Sequence, residues 1–467
     1  MFQQPKKSRR NFLKKALGTA IVTSTATPLL ASSKRIITLP RHIETKKYAA
    51  NDQVNIAVIG MGIMGFNNLR TTLKVPGVRL VGVCDLYTGR LERSKEVFGK
   101  EIFTTRNYRE ILDRQDIDAV IIATSDHWHD RISVDAMNKG KHVYCEKPMV
   151  HKLEEGAAVI ATQKKTGKVF QVGSQGVSSI VTEKAREIVA SKTIGDLVLV
   201  ETWNDRQGAS GAWQYSIPRD ANKNTVDWEN FLGDAPKVPF DPVRFFRWRN
   251  YRDYGTGIAG DLFVHLFSRL HAVTQSKGPN RIFATGGLRY WKDGRDVPDI
   301  ICGLYDYPAS PNHGEFTLQT RVNFVDGGGG SGLLRLVGTD GVITLGGNSV
   351  KIGRNKTPKH PGFGGWDSFA TFSAAQQAEF EKWYNANHPP EKAEVLEPET
   401  EYLAPEGYSA DLDHHMNFYK GIRENAPIVE DALFSMRAAG PALASNKSVF
   451  DKKIILWDPE KAVEGQG

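Results

Sequence analysis

Cysteine is nearly absent from this chain. The three present, Cys84, Cys145 and Cys302, form no CxxC pair, so neither a zinc site nor a disulfide framework is indicated and no metal is expected. Long hydrophobic runs are missing too. The weakly apolar stretch from Ala16 to Ala31 is too short and too rich in threonine to span a bilayer securely, so no stable membrane insertion is expected. No long internal repeat is present. Basic residues are also scarce where a nucleic acid would need them. The formal charge is +8, yet residues 1–50 alone hold eleven Lys and Arg against the single acid Glu44. That exceeds the whole surplus, the remaining chain is near neutral, and nucleic acid is excluded as a partner.

What is present begins with length. A chain of 467 residues, with 24% charged and 40% hydrophobic residues, is too long for one ordinary core and implies two domains with appendages. The leader Ser8-Arg9-Arg10-Asn11-Phe12-Leu13-Lys14 resembles a twin-arginine export signal. Residues 1–33 are therefore expected to be a signal peptide and 34–52 an extended lead-in. Periplasmic localisation and passage through the Tat translocation machinery follow as expectations. Sparse thiols suit a protein that folds in a reducing compartment before export.

From residue 53 the pattern changes. Val54–Ile59 reads as a buried strand ended by Gly60, and residues 67–74 suit a helix. Further strands are expected at 78–83, 118–123, 142–145 and 168–173, alternating with helices near 89–98, 107–113, 129–139 and 153–166. Such alternation implies a doubly wound parallel sheet, a Rossmann domain over 53–174. Beyond 175 a helix at 182–191 leads into strands at 197–202, 281–289, 300–307, 315–325, 332–337 and 341–345. These predict a second α/β domain over 175–410 with an open, mainly antiparallel sheet. The glycine run 326–332 reads as a hairpin loop, 353–400 as polar and irregular, and 411–467 as C-terminal helices and tail. The fold class expected is thus α/β in two parts.

Gly60-Met61-Gly62-Ile63-Met64-Gly65 is GxGxxG. Alone the motif is weak, but here it follows a buried strand and opens a helix, and Asp85 lies at the end of the next strand. Gly60 permits the tight turn, Gly62 lets backbone approach a pyrophosphate, and Gly65 allows close helix–strand packing. The helix N-terminus offers N–H groups to phosphates. Asp85 can accept from the adenosine ribose hydroxyls and repel a 2′-phosphate, which favours NAD; Arg90 nearby weakens that preference, so NADP is possible.

Two further pieces carry chemistry. Glu146-Lys147-Pro148 sits at the C-terminal end of a strand, where doubly wound sheets bind ligands. Burial beside a positive nicotinamide would help a lysine there to lose its proton and exchange it with a substrate hydroxyl. Asp261 and His265 stand four apart, on one face if a helix begins there, with Asp261 at the helix start. A histidine beside a carboxylate is a candidate general base. Taken singly, EKP is a common surface tripeptide and DxxxH is an ordinary cap with a core histidine.

Together with Ala123-Thr124-Ser125-Asp126-His127-Trp128-His129, these features resemble the glucose–fructose oxidoreductase, inositol dehydrogenase and rhizopine catabolism (Gfo/Idh/MocA) family over most of 53–450. Ser125 stands where that family usually has proline, which affects loop rigidity more than chemistry. The resemblance implies Lys147, Asp261 and His265 as the catalytic group, with Asp261 orienting His265 and either Lys147 or His265 as the base. The expected cofactor contacts are Gly60, Met61, Gly62, Ile63, Met64, Gly65, Asp85, Thr124, His129, Glu146, Lys147 and Gln175. His129 is expected to touch substrate or cofactor rather than a metal, and His414-His415 to be an ordinary helix pair.

The stretch 203–257 is rich in Trp and Arg: Trp203, Arg206, Trp213, Trp228, Arg247, Trp248, Arg249, Tyr251 and Arg252. These can face a sugar or simply pin a long loop. The expectation is an NAD(P)-dependent oxidoreductase acting on a sugar, polyol or glycoside, forming a homo-oligomer. Free NAD is scarce outside the cytoplasm, so a cofactor that travels bound within the folded protein is expected. A redox-assisted glycoside hydrolase and a catalytically silent sugar-binding protein are the alternatives.

Overall fold

The computed structural model describes residues 34–40, 48, 52–354, 360, 362–388 and 398–465. The expected export leader, 1–33, lies outside them, as does most of the expected lead-in. What is described of the lead-in is a short strand, β1 (Arg35–Thr38), that pairs in parallel with Thr400–Leu403 at the edge of the larger sheet.

The strand–helix alternation after Val54 buries apolar strands on both faces, which a parallel sheet with helical crossovers achieves. Six strands, β2 (Val54–Ile59), β3 (Val78–Cys84), β4 (Phe103–Thr105), β5 (Ala119–Ile122), β6 (His142–Cys145) and β7 (Phe170–Val172), form one parallel sheet in the order β4-β3-β2-β5-β6-β7. Ile56, Val58 and Ile121 are fully buried at its centre. The crossovers are α1 (Ile63–Thr72), α2 (Thr88–Phe98), α3 (Tyr108–Asp113), α4 (His129–Asn138) and α5 (Gly156–Thr166). The order reverses between β2 and β5, which opens a crevice beyond their C-terminal ends. Gly60 follows one of these strands and Ala123 the other.

The second sheet has eleven strands. Besides β1 they are β8 (Leu197–Asp205), β9 (Arg281–Gly287), β10 (Ile300–Tyr307), β11 (Phe316–Asn323), β12 (Ser331–Gly338), β13 (Gly341–Leu345), β14 (Ser349–Arg354), β15 (Thr400–Leu403), β16 (Ile455–Asp458) and β17 (Val463–Glu464). Their order is β1-β15-β14-β13-β12-β8-β11-β10-β9-β16-β17, antiparallel except at β1·β15 and β8·β11. The fold is therefore α/β, a Rossmann sheet followed by an open, mainly antiparallel one. Burial alternates along β10 and β11, the mark of a sheet covered on one face. Phe283 and Leu304, opposite each other on β9 and β10, are exposed on the open face.

Helices α6 (Ile180–Ala190), α7 (Trp228–Leu232), α8 (Pro242–Phe246), α9 (Val264–Thr274), α10 (Ala374–Asn387), α11 (Ala410–Glu424) and α12 (Ala432–Asp451) complete the chain. Three expectations change. The glycine run 326–332 does not close a hairpin, because β11 and β12 flank β8 on opposite sides and the run passes over the end of that strand. The region 353–400 contains α10 rather than irregular chain alone. The residues after 411 are not a separate appendage. Helix α11 packs on the Rossmann domain, where Tyr419 and Thr72 share a hydrogen bond of 2.6 Å, and β16 extends the large sheet beside β9. Among the described residues no helix is long and apolar enough to cross a membrane.

Candidate active site

The turn after β2 is set by glycine geometry. Gly60 has φ +94°, a left-handed conformation costly for any other residue, and a Cβ on it would stand 2.5 Å from the Ala123 carbonyl oxygen. A Cβ on Gly65 would stand 2.0 Å from the Gly60 carbonyl oxygen. The first turn of α1 thus lies directly on the end of β2. Gly62, the helix N-cap, meets nothing within 4 Å and faces open space. No side chain caps α1, which leaves its first N–H groups available to an anion. Asp85, at the end of β3, accepts from the Met61 N–H at 2.7 Å and the Tyr87 N–H at 2.8 Å, with Arg90 Nη1 at 3.4 Å. Its carboxylate is held in place by backbone and keeps lone pairs for a ribose hydroxyl.

A cavity of about 390 Å³ runs from this turn to the C-terminal domain. Gly60, Gly62, Ile63, Met64, Asp85, Thr124, His129, Glu146, Lys147, Gln175, Asp261 and His265 line it; Met61 and Gly65 lie behind the turn. His129 faces two backbone carbonyls, Pro148 O at 2.7 Å from Nδ1 and Thr124 O at 3.3 Å from Nε2. It fixes the loop after β5 against the one after β6, whose Lys147–Pro148 peptide is cis. Glu146 accepts from Asn68 at 2.8 Å and Gln175 at 3.3 Å. Burial raises its pKa, against the opposing pull of Lys147 and Asn68.

The end of the cavity next to the C-terminal domain is an ion cluster. Lys147 Nζ donates to Asp261 Oδ1 at 2.6 Å and to the Asp261 carbonyl at 2.9 Å, and both side chains are buried. Arg249 Nε reaches the same Oδ1 at 3.1 Å. Burial works to raise the Asp261 pKa, but Lys147 and Arg249 overcome it and hold the carboxyl well below the usual range. Asp261 does not start an α-helix as expected. It lies within a π-helical turn, Ala259–Phe263, that leads into α9, a distortion that turns its carboxylate to Lys147 and Arg249 rather than to His265. Burial, then the Lys147 charge, push the His265 pKa down to about 3, so its imidazole is neutral, and the same environment weakens it as a base.

The long segment between β8 and α9 closes the opposite end. Tyr87 bridges Val226, Thr88 N–H donates to the Thr225 carbonyl at 3.0 Å, and Asp227 N–H to the Leu86 carbonyl at 2.9 Å. Arg90 lies 5.7 and 5.3 Å from the rings of Phe245 and Phe246, beside Asp85. The residues of this segment divide between packing and the cavity wall. Trp228 and Tyr251 pack in an aromatic core, while Arg206, Trp213, Trp248 and Arg249 line the cavity. Trp203 instead donates to Ser331 at 3.0 Å, Arg247 to the Tyr215 carbonyl at 2.8 Å, and Arg252 covers Phe450. His414 and His415 are buried structural residues: His414 meets the Val172 carbonyl at 2.7 Å and His415 stacks on Tyr144. The role of Arg249 as second cation on Asp261 had no local signal, since twelve residues and a loop separate them.

Residues 54–174 match the Gfo/Idh/MocA model, an oxidoreductase family with an NAD-binding Rossmann fold. Inositol 2-dehydrogenase of Salmonella typhimurium is 29% identical over 164 residues, 35% of this chain and 48% of that protein. Alpha-N-acetylgalactosaminidase of Shewanella oneidensis is 33% identical over 179 residues, 34% of this chain and 38% of that one. The chain thus spans about half the length, or less, of these curated relatives. A crystal structure of scyllo-inositol dehydrogenase from Lactobacillus casei with NAD(H) and scyllo-inositol aligns with TM-score 0.58 at 16% identity. It covers 86% of this chain and 99% of that one, and shows the shared fold.

Proposed function

We propose that this chain, which carries the NAD-binding Rossmann domain of the Gfo/Idh/MocA oxidoreductase family over residues 54–174, is a dehydrogenase of sugar or polyol hydroxyl groups. The observation that carries this reading is that Lys147, Asp261 and His265 line the same cavity as the Gly60–Gly62 turn. The residues fit NAD. The uncapped α1 N-terminus and open Gly62 would hold the pyrophosphate, Asp85 the adenosine ribose, and Glu146 and Gln175 the nicotinamide end. NAD held there would supply the acceptor for the hydride of the substrate carbinol carbon.

The protein residues handle the accompanying proton. Lys147, charged against Asp261, donates a hydrogen bond to the carbinol oxygen and stabilises the negative charge that develops there. His265, which lines the same cavity, takes the hydroxyl proton as the carbonyl forms. Asp261 and Arg249 hold Lys147 in position. In the reverse direction the same groups return the proton to the nascent hydroxyl.

The segment 206–257 covers the Asp85 end through Val226, Phe245 and Phe246. That cover supports a cofactor retained through turnover, which suits the twin-arginine leader and a periplasmic site of action. The exposed Phe283 and Leu304 on the open sheet face support a homo-oligomer. The test is to denature purified protein and assay the supernatant for nicotinamide nucleotide, then screen sugars and polyols at the reduced-cofactor absorbance band. Absence of both bound nucleotide and affinity for added NAD would sink the reading. Release of an aglycone from aryl glycosides without net cofactor reduction would replace it with redox-assisted glycoside cleavage.

A further inference from the structure

Among the described residues Arg206 makes no ion pair with a carboxylate. It lines the cavity beside the catalytic cluster, and among the described residues its guanidinium meets only the Gly211 carbonyl, at 3.4 Å, and the face of Phe324, at 5.9 Å. Asp261 is taken by Lys147 and Arg249, and other acids of this region are committed too. Asp205 takes Arg321 at 2.8 Å and the Asn323 N–H at 3.0 Å; Asp326 accepts the Gly330 N–H at 3.0 Å; Asp293 takes Arg295 at 2.7 Å. Arg249 also keeps spare donors. Among the described residues its guanidinium hydrogen-bonds only through Nε, to Asp261, while it lies on the face of Trp248 at 4.2 Å. The charge of Arg206 reaches the catalytic group, since it depresses both Asp261 and His265.

The wall beside these arginines is aromatic and stiff. Trp213 lines the cavity with φ +62°, a backbone conformation that a bulky side chain adopts only when its surroundings impose it. It is 1% exposed and packs edge-to-face on Phe324 at 4.8 Å. Trp248 forms another part of the lining. The indole of Trp248, only partly buried, suits the C–H surface of a sugar ring. Two arginine forks with unused donors suit a planar, bidentate anion. A neutral polyol would leave the unused donors of Arg206 without an anionic acceptor, whereas a carboxylate would satisfy them.

We infer that the substrate is a sugar carboxylate, a uronic or aldonic acid, whose carboxylate is gripped by Arg206 and Arg249 while a ring or chain carbinol faces Lys147 and His265. This rests on the dehydrogenase reading but is tested apart from it. NAD-loaded protein is presented with glucuronate, galacturonate and gluconate, and with glucose, galactose and glucitol as their neutral counterparts. Binding is measured by calorimetry and turnover by cofactor reduction. At least one acid is expected to exceed its neutral counterpart about a hundredfold in kcat/KM. Arg206→Met is expected to cut that acid-to-neutral ratio at least about tenfold, mainly through KM, with Arg206→Lys recovering part of it.

Neutral sugars turned over as well as the acids would overturn the inference and leave the dehydrogenase reading standing. An unchanged ratio in Arg206→Met would overturn it as well. Tight binding of an acid with no hydride transfer would uphold the anion site and remove the dehydrogenase reading. Absence of any binding by the three acids would overturn it.

Discussion

The two ends of the cavity are built by opposite means. At the nucleotide end, six consecutive residues and one aspartate create the site, and the decisive contacts are backbone: Gly60 against Ala123, Gly65 against Gly60, and Asp85 against two N–H groups. At the proposed catalytic end, side chains arrive from segments more than a hundred residues apart in sequence, and charge decides their arrangement. Lys147 and Asp261 are 114 residues apart, joined by a buried ion pair. The first end depends on backbone shape and on the Asp85 carboxylate. The second tolerates modest shape changes but not the loss of a charge, because removing one partner strands the other in a low-dielectric site.

The sharpest way to break this comparison is Lys147→Met. The substitution keeps volume but leaves Asp261 with Arg249 alone and removes the donor to the carbinol oxygen. Turnover is expected to fall about a thousandfold, or ~4 kcal/mol in barrier, with nucleotide still recovered from the denatured protein. Loss of nucleotide as well would show that the two ends are not separable. Gly65→Ala asks the converse. Its new Cβ would meet backbone at 2.0 Å, so α1 must move off β2, at a cost of about 3 kcal/mol. Nucleotide content should drop together with the midpoint of thermal unfolding, and retention of both would contradict the backbone account of that end.

The same contrast explains what could be read in advance. GxGxxG, Asp85 and the strand alternation were legible because each is local: a short apolar strand, a glycine turn and a helix start follow one another in sequence. That Lys147, Asp261 and His265 share a cavity was available only through family resemblance, since neither EKP nor DxxxH carries the information alone. The pairing itself was misjudged. A spacing of four suggests that Asp261 serves His265, but the π-helical turn at Ala259–Phe263 rotates the carboxylate to Lys147, and nothing in a spacing of four announces an extra residue in the turn. The glycine run 326–332 shows the same limit. Its flanking strands imply a hairpin locally, and only the insertion of β8 between them, a pairing across more than a hundred residues, makes it a crossover.

The segment 206–257 connects the two ends, and Phe246→Ala tests whether its cover retains the nucleotide. Phe246 packs edge-to-face on Tyr87 at 5.2 Å and under Arg90. Truncation should speed nucleotide dissociation about tenfold and lower stability by about 2 kcal/mol. Faster release with turnover of saturated protein nearly intact would place the effect at the nucleotide end. Unchanged release would mean that the segment serves the aromatic core and not the cofactor.

The smallest effect concerns pH, and it isolates one group. Burial and Lys147 hold His265 near a pKa of about 3, whereas in the unfolded chain it titrates near about 6.5. Above that value the group contributes nothing to the pH dependence of stability. As pH falls below it, the unfolded chain gains a proton that the folded protein refuses, and stability drops progressively until pH approaches the folded value. The loss at pH 5.5 is about 1 kcal/mol, trimmed because the ring faces the cavity and some solvent reaches it. His265→Gln removes that term whatever its effect on absolute stability. Unfolding midpoints measured from pH 7.5 to 5.0 should therefore decline less steeply in the variant than in the native protein, and parallel declines would mean that His265 carries an ordinary imidazole pKa. A depressed value also requires that the acid limb of kcat in the native protein show no inflection near 6.5 from this residue, so the stability slope and the activity profile must agree for neutral His265 to be the group that receives the proton.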